Sequence, residues 1–378
     1  MHAPSLDPCL DPHTLAAGLS GLQLIDGVMV PAVGGRRFAV HNPATMEVIG
    51  EAADGDAADV DLAVQAAKTA QKLWAKVRAR DRGKLVAACG TRLAAHVEEL
   101  ARLTALETGK AIRTESRVEA GVLADVFTYY GGLGSELTGE TVPFHPDQLV
   151  FTTREPIGVI AAIIPWNAPL LLMALKIAPA LVAGNAVVVK SAEEAPFGVL
   201  RVAQLLADVL PKGVFSLISG DGPGCGGPLA QHSSINKVTF TGSVETGRII
   251  AHAAAEKLVP VTLELGGKSP MIVLEDADLD LAVAGAVGGM RFTRQGQSCT
   301  AASRMFVARP LVRAFIDAVR ARVDAMVMGD PLDEATDIGT IISPRQKATV
   351  DRYIGLGEDT SGAIAHRCSA LPTDPRFA

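Results

Sequence analysis

IGVIAAIIPWNAPLLLMALKIAPALVAGNAVVVKSAEEAPFGVLRVAQLLADVL, residues 157–210, is the stretch from which the fold is read. IGVIAAII and AVVVK are short apolar runs without polar alternation, and each leads into a run of helical length. The first helix, LLLMALKIAPALVAG, is predicted to end at Gly184; the second, PFGVLRVAQLLADVL, is entered through Pro196. A strand that is apolar on both faces has to be covered on both, and crossover helices between parallel strands do this. The rhythm continues through VFSLIS, KVTFTG and the helix ETGRIIAHAAAEKL. Together these runs predict an α/β chain built on a parallel sheet. Ligands of such sheets sit outside the carboxyl ends of the strands, so the loops that follow strands are where chemistry is sought.

Upstream, residues 22–50 read as a hairpin or meander with turns at Asp26-Gly27 and Gly34-Gly35. DGDAADVDLAVQAAKTAQKLWAK reads as a helix capped by Asp56, with Val60, Ala63, Ala67, Ala70, Trp74 and Val77 as its apolar stripe. Further helices are predicted over 81–107, stopping at Gly109, and over 115–131, stopping at Gly131-Gly132. The N-terminal MHAPSLDPCLDPHT reads as a loose arm; lacking a cationic start to an apolar run, it does not read as a signal peptide. Downstream of LELGGKSP, the runs MIVL and RMFV with helices over 278–292 and 311–327 predict a second α/β unit, its boundary near 265–268. Residues 328–378 read as looser, with no closing strand of their own.

Composition narrows the function classes. With 378 residues, 48% hydrophobic and 20% charged, the chain suits two domains around a large core rather than disorder. The formal charge is −6 without a basic block, which argues against a nucleic-acid partner. Five scattered cysteines without a CxxC pair fit free thiols in a reducing, cytoplasmic compartment and neither a disulfide framework nor a metal site. PIGVIAAIIPWNAPLLLMAL, residues 156–175, has the length of a spanning helix, but Pro156, Pro165, Asn167 and Pro169 interrupt it, so no membrane span is read there.

Three strand ends supply polar groups. The first carries Trp166 and Asn167, whose amide is a neutral donor suited to a developing oxyanion. The second carries Lys190 and Glu193, a pair suited to sugar hydroxyls. The third carries Gly242 and Ser243, with Gly247 in the following helix; GSVETG resembles a phosphate cradle but lacks the GxGxxG fingerprint. Two small-residue settings follow: LELGGKSP with Glu264, and FTRQGQSCTAAS with Cys299. A thiol and a carboxylate suffice to trap a carbonyl carbon covalently and then to activate the water that releases it.

PWN, VVVKSAEEAP, FTGSVETG, LELGGKSP and FTRQGQSCTAAS stand in the order and at the separations of the aldehyde dehydrogenase superfamily, which the chain resembles from about residue 22 to its end. The resemblance implies a Rossmann-like NAD-binding domain over 1–137 and 157–266. It further implies an oligomerisation hairpin over 138–156 and an incomplete α/β catalytic domain over 267–378. It implies that Cys299 is the nucleophile and that Asn167 with the Cys299 backbone N–H meets the oxyanion of the thiohemiacetal. Hydride then passes to the nicotinamide, and Glu264 activates water against the thioester. Lys190 and Glu193 would hold the adenosine ribose and Ser243 a phosphate, with Trp166, Gly242, Gly247 and Leu265 lining the cofactor cleft. Lys176 matches a lysine linked to proton relay.

The carboxylate of Glu193 repels a 2′-phosphate, so NAD is expected over NADP, which stays possible. Glu264 points to water rather than coenzyme A as acyl acceptor. The substrate is expected to be a small-molecule aldehyde; Phe127, Tyr130, Leu170 and Met173 read either as a partly aromatic wall of its pocket or, equally, as core. The full-length form is expected to be a homodimer or homotetramer. Ser191 replaces a common proline. The family's Glu-x-Phe-Gly-Pro segment and its exchanged strand do not occur in these 378 residues, which makes a truncated, non-catalytic remnant that binds cofactor or partner subunits the alternative reading.

Overall fold

The computed structural model describes residues 11–359 and residue 374. The chain opens with α1 (Pro12–Leu19), the hairpin β1 (Leu22–Ile25) and β2 (Val28–Pro31), and the pair β3 (Arg37–His41) and β4 (Val48–Ala53). Four helices follow: α2 (Ala57–Trp74), α3 (Ala79–Ala94), α4 (Val97–Thr108) and α5 (Arg117–Gly132), the last preceded by a π-helical turn, Ile112–Ser116. A second hairpin comprises β5 (Thr141–His145) and β6 (Gln148–Phe151). The alternating region is β7 (Val159–Ile163), α6 (Pro169–Val182), β8 (Ala186–Lys190), α7 (Phe197–Ala207) and β9 (Phe215–Ile218). It continues through α8 (Gly227–Gln231), β10 (Lys237–Gly242), α9 (Val244–Glu256) and β11 (Val261–Leu265). The last unit holds β12 (Pro270–Val273), α10 (Leu279–Gly289), β13 (Arg304–Val307), α11 (Val312–Asp324) and α12 (Pro344–Asp359).

The main sheet has the order β11-β10-β7-β8-β9-β1-β2. Its first five strands are mutually parallel, and the β1–β2 hairpin closes one edge antiparallel. Every residue of β7 and β8 is buried, as two-sided coverage requires. From β7 the chain steps outward to β8 and β9, then returns to place β10 on the other side of β7. The carboxyl ends of β7 and β10 therefore flank the topological switch point, where crossovers leave in opposite directions and open a crevice.

One face of the sheet is covered by α3 to α7 and the other by α2, α8 and α9, each with its own apolar cluster. Helix α2 has the expected stripe, with Val60, Ala63, Ala67 and Trp74 buried, and Asp56 closes a capping box with Asp59. The Trp74 indole spans the layers by donating Nε1–H to the Leu181 carbonyl at 2.9 Å. Asp26 and Gly27 both adopt positive φ, 52° and 73°, as a two-residue hairpin turn matched to strand twist demands.

Several sequence expectations are corrected. The expected loose arm contains α1, started by Asp11, whose carboxylate accepts from Thr14 N–H at 3.0 Å. The helix expected over 81–107 is two helices that break at Ala95 and His96, so that α4 turns to pack on α5 and α7. The helix expected from 115 begins with the π-turn. Within 328–378, α12 forms, and the segment between α11 and α12 runs back across the first helices: Ile112 N–H donates to Pro331 O at 2.8 Å and Thr340 N–H to Gly109 O at 2.9 Å. The stretch 360–373 lies outside the described residues. Of the two readings of Phe127, Leu170 and Met173, wall or core, the structure favours core: all three are fully buried in the main apolar cluster.

Candidate active site

Four adjacent parallel strands deliver the candidate residues to one edge, in the spatial order β11, β10, β7, β8. β11 ends with Glu264 and Leu265, paired in register with Thr241 and Gly242 of β10. Ser243 follows as the N-cap of α9, its Oγ accepting from Thr246 N–H at 3.2 Å. On β7 the chain exits through Trp166 and Asn167 into α6, and on β8 Lys190 is the last residue. A parallel sheet twists but keeps its strand ends together, so residues more than a hundred positions apart in sequence share one rim.

At the β8 end, Lys190 is buried with its ammonium 3.2 Å from the half-exposed Glu193 carboxylate. At the middle, the first turn of α9 presents backbone N–H groups that no residue within the helix satisfies. Gly247 lets this turn lie close to β11: a Cβ there would stand 2.7 Å from Leu265 Cδ2. Two buried hydroxyls at the same edge, Ser191 Oγ and Thr241 Oγ1, have no hydrogen-bond partner in the described structure. Such groups are rare in folded proteins and call for a further donor or acceptor.

At the β11 end the loop 292–302 carries Cys299 across the sheet edge. A Cβ built on Gly267, three residues after Glu264, would lie 3.9 Å from the Cys299 carbonyl oxygen. Asn167 Nδ2 donates to the Gln297 carbonyl at 2.9 Å, which ties the β7 loop to the turn two residues before Cys299. An amide nitrogen has two hydrogens, so this bond orients the group and leaves one N–H free to donate. Gln297 is buried and its own Oε1 accepts from Ile342 N–H at 3.2 Å, which adds the returning 327–342 segment to the same junction. Cys299 is exposed, in contrast to the buried Cys89 and Cys225, whose thiols burial pushes up to about 12.

Lys176 on α6 lies beneath this end and donates from Nζ to Thr239 Oγ1 at 3.0 Å. Burial pushes its ammonium down to about 8, and the Glu264 charge pulls the other way, so the two are within electrostatic reach. An unfolded lysine keeps its proton to about 10.4. Between about 8 and that value the unfolded chain holds the extra proton, and stability attributable to Lys176 rises with pH; below it both states are protonated and the contribution is flat. In Lys176→Met that rise is expected to vanish. Melting temperatures of the two proteins from pH 7 to 10.5 check this, since the buried thiols titrate identically in both.

Sequence reading missed the supports of this site. Lys110 and Glu119 form a buried ion pair, and Lys110 Nζ also donates to the Asn167 carbonyl at 3.2 Å. Glu119 Oε1 accepts from Leu170 N–H at 2.9 Å and Leu171 N–H at 3.3 Å, the opening N–H groups of α6. Glu115 is buried and accepts from Thr293 Oγ1 at 2.5 Å and Arg294 Nε at 2.7 Å. The available signal was a pair of glutamates, Glu115 and Glu119, four apart at the start of an otherwise largely apolar helix, with Lys110 just upstream of it.

A family profile described as "Aldehyde dehydrogenase family" matches residues 30–374. The mitochondrial aldehyde dehydrogenase family 2 member B4 of Arabidopsis thaliana is 40% identical over 345 residues, 90% of this chain and 64% of its own length. The chain thus spans 64% of the length of the curated relatives it matches. Among solved structures, PnpE in complex with nicotinamide adenine dinucleotide superposes with a TM-score of 0.91 at 38% identity, covering 95% of this chain and 73% of that one. The NAD+ complex of a Bacillus cereus aldehyde dehydrogenase has a TM-score of 0.91 at 35% identity, covering 96% and 75%.

Proposed function

The chain belongs to the aldehyde dehydrogenase family, and from that premise we propose that it binds NAD along the β11–β8 rim and oxidises a small aldehyde to a carboxylic acid. The reading is supported by an exposed thiol on a loop that the Asn167 amide holds at Gln297 and that passes beside Gly267, three residues after Glu264. Lys190 and Glu193 suit the hydroxyls of an adenosine ribose, and Ser243 with the start of α9 suits the phosphates. Gly242, Gly247, Leu265 and Trp166 line the cleft between them, and the unpartnered Ser191 and Thr241 hydroxyls lie at the same edge. The Glu193 carboxylate disfavours a 2′-phosphate, which selects NAD over NADP. NAD, when bound, supplies the hydride acceptor.

Cys299 Sγ attacks the aldehyde carbon as thiolate, forming a C–S bond and an alkoxide. The free N–H of Asn167 and the backbone N–H of Cys299 stabilise that alkoxide, an arrangement worth about 3–4 kcal/mol per donor where it has been dissected. After oxidation the product is a thioester on Cys299. Glu264 then takes a proton from water, whose oxygen adds to the acyl carbon, and the thiolate departs. The approach of the Cys299 loop to Gly267, three residues after Glu264, supports this role for the carboxylate.

Domain roles follow the same reading: 1–137 and 157–266 bind the cofactor, 267–378 carry the thiol, and 138–156 serve assembly. The β5–β6 hairpin supports the last assignment, since Phe144, Leu149 and Phe151 are all exposed and a lone two-stranded hairpin of this kind is marginal without a partner. Unpaired thiols among the described residues suit a reducing, cytoplasmic compartment. No helix among the described residues is long and apolar enough to cross a membrane.

NADH formation by the 378-residue chain with a panel of aliphatic and aromatic aldehydes tests the activity; a uniformly blank panel refutes it and leaves the cofactor-binding remnant. Glu264→Gln is expected to slow acyl release by about 10²-fold or more, so that a single-turnover burst of NADH survives while steady-state turnover falls. Equal loss of burst and steady state would remove Glu264 from the hydrolytic step.

A further inference from the structure

We infer that residues 110–119 form a brace that fixes the Asn167 amide and the Cys299 loop relative to one another, with Glu115 as the positioning residue for the loop. The inference rests on the assignment of Cys299 as nucleophile. Three ionisable side chains within ten residues, Lys110, Glu115 and Glu119, are all buried. Buried charge is retained only where it is paired and hydrogen-bonded, so each must have a defined partner. Those partners divide between the two halves of the site. Lys110 and Glu119 grip the β7 loop and the start of α6 that follows it, at the Asn167 carbonyl and at the N–H groups of Leu170 and Leu171. Glu115 grips the turn before Cys299 through the Thr293 hydroxyl and the Arg294 guanidinium.

The backbone on both sides of these contacts is under constraint. Arg291 and Gln295 stand at φ 56° and 54°, in the left-handed region that side-chain-bearing residues avoid. Strain of this kind persists only where the surroundings over-determine it. Thr293 and Arg294 lie between the two strained residues, so the Glu115 carboxylate acts where the loop has most to gain by relaxing. Glu115 itself is presented by the π-turn Ile112–Ser116, a wide turn seldom kept in a helix without a functional reason. The same turn is pinned from outside by the Ile112 bond to Pro331 and by Thr114 Oγ1, which donates to Asp337 O at 2.8 Å. Glu115 touches neither the thiol nor the amide in these contacts; it acts through the loop.

Releasing one end of this brace shifts the sulfur relative to the amide, and a displacement near 1 Å costs about 10²-fold in rate. The test compares wild type with Glu115→Gln and with Thr293→Val/Arg294→Met, which removes the same contacts from the less buried side. The readouts are the rate of Cys299 alkylation by iodoacetamide, followed by peptide mass spectrometry, and kcat against KM for NAD in NADH formation. Both variants are expected to change the alkylation rate at least several-fold and to lower kcat by about 10²-fold with KM for NAD unchanged. Wild-type alkylation and kcat in either folded variant overturn the inference. A loss confined to melting temperature, with alkylation unchanged, assigns Glu115 a structural role and also overturns it. Alkylation needs no turnover, so an inactive wild type would refute the dehydrogenase reading while this comparison still reports on the loop.

Discussion

Cys299→Ala is expected to abolish NADH formation from every aldehyde, a loss on the order of 10⁴-fold or more, while NAD binding is retained. The separation of the two effects follows from the layout of the rim. Lys190, Glu193 and Ser243 belong to β8, its following loop and α9, whereas Cys299 reaches the crevice on a loop from the second α/β unit. Removing one sulfur atom from an exposed position leaves no cavity in either apolar cluster of the main sheet, so the cofactor half of the site has no reason to rearrange. Titration of intrinsic fluorescence with NAD, set beside NADH production at saturating aldehyde, checks both halves. Retained turnover in Cys299→Ala would remove the covalent route. Loss of NAD binding together with turnover would mean that the loop holds the crevice open and would undo the assignment of separate halves. Cys89→Ala is the matched control, since that thiol is buried on α3.

Much of this layout was legible from period and punctuation. Unbroken apolar runs such as AVVVK can be buried only in a two-sided sheet, and β8 is buried throughout. Gly109 marked a helix end because only glycine takes φ near 73° cheaply, and it caps α4 in that conformation. Lys190, Gly242, Ser243 and Trp166 were legible as positions because each ends a strand or follows one. What escaped was set by long-range contact. The break at Ala95–His96 has no Gly or Pro to announce it; tertiary packing of α4 overrides a sequence of good helix formers. The π-turn at Ile112–Ser116 likewise depends on its bonds to residues 331 and 337, more than two hundred positions away. Buried ionic residues read as surface until their partners are known, and so Lys110, in the linker, and Glu115 and Glu119, at the start of the next helix, drew no notice. For the same reason the sequence left Phe127, Leu170 and Met173 open between pocket wall and core, a choice that only helix packing decides.

The second large effect is one of stability. Lys110→Met is expected to destabilise the fold by about 3–5 kcal/mol, the cost of leaving a buried carboxylate without its ion partner. The Lys110 ammonium lies between two buried carboxylates: it pairs with Glu119 and its charge also acts on Glu107. Glu107 is already pushed up to about 8, mainly by burial, although it accepts from Phe197 N–H at 2.8 Å and Gly198 N–H at 2.9 Å at the start of α7. Withdrawing the cation leaves the Glu119 charge answered only by the N–H groups of Leu170 and Leu171. Methionine matches the length of the lysine stem, so the cost is electrostatic rather than that of a cavity. The double variant Lys110→Met/Glu119→Gln should therefore recover most of the loss, because a neutral amide oxygen can still accept from α6 while no unpaired charge is buried. Urea unfolding of the three proteins measures both steps. A single-variant loss below about 1 kcal/mol would show that the pair is solvated in practice. A double variant no more stable than the single would show that the stem of Lys110, and not its charge, holds the β7 loop in place.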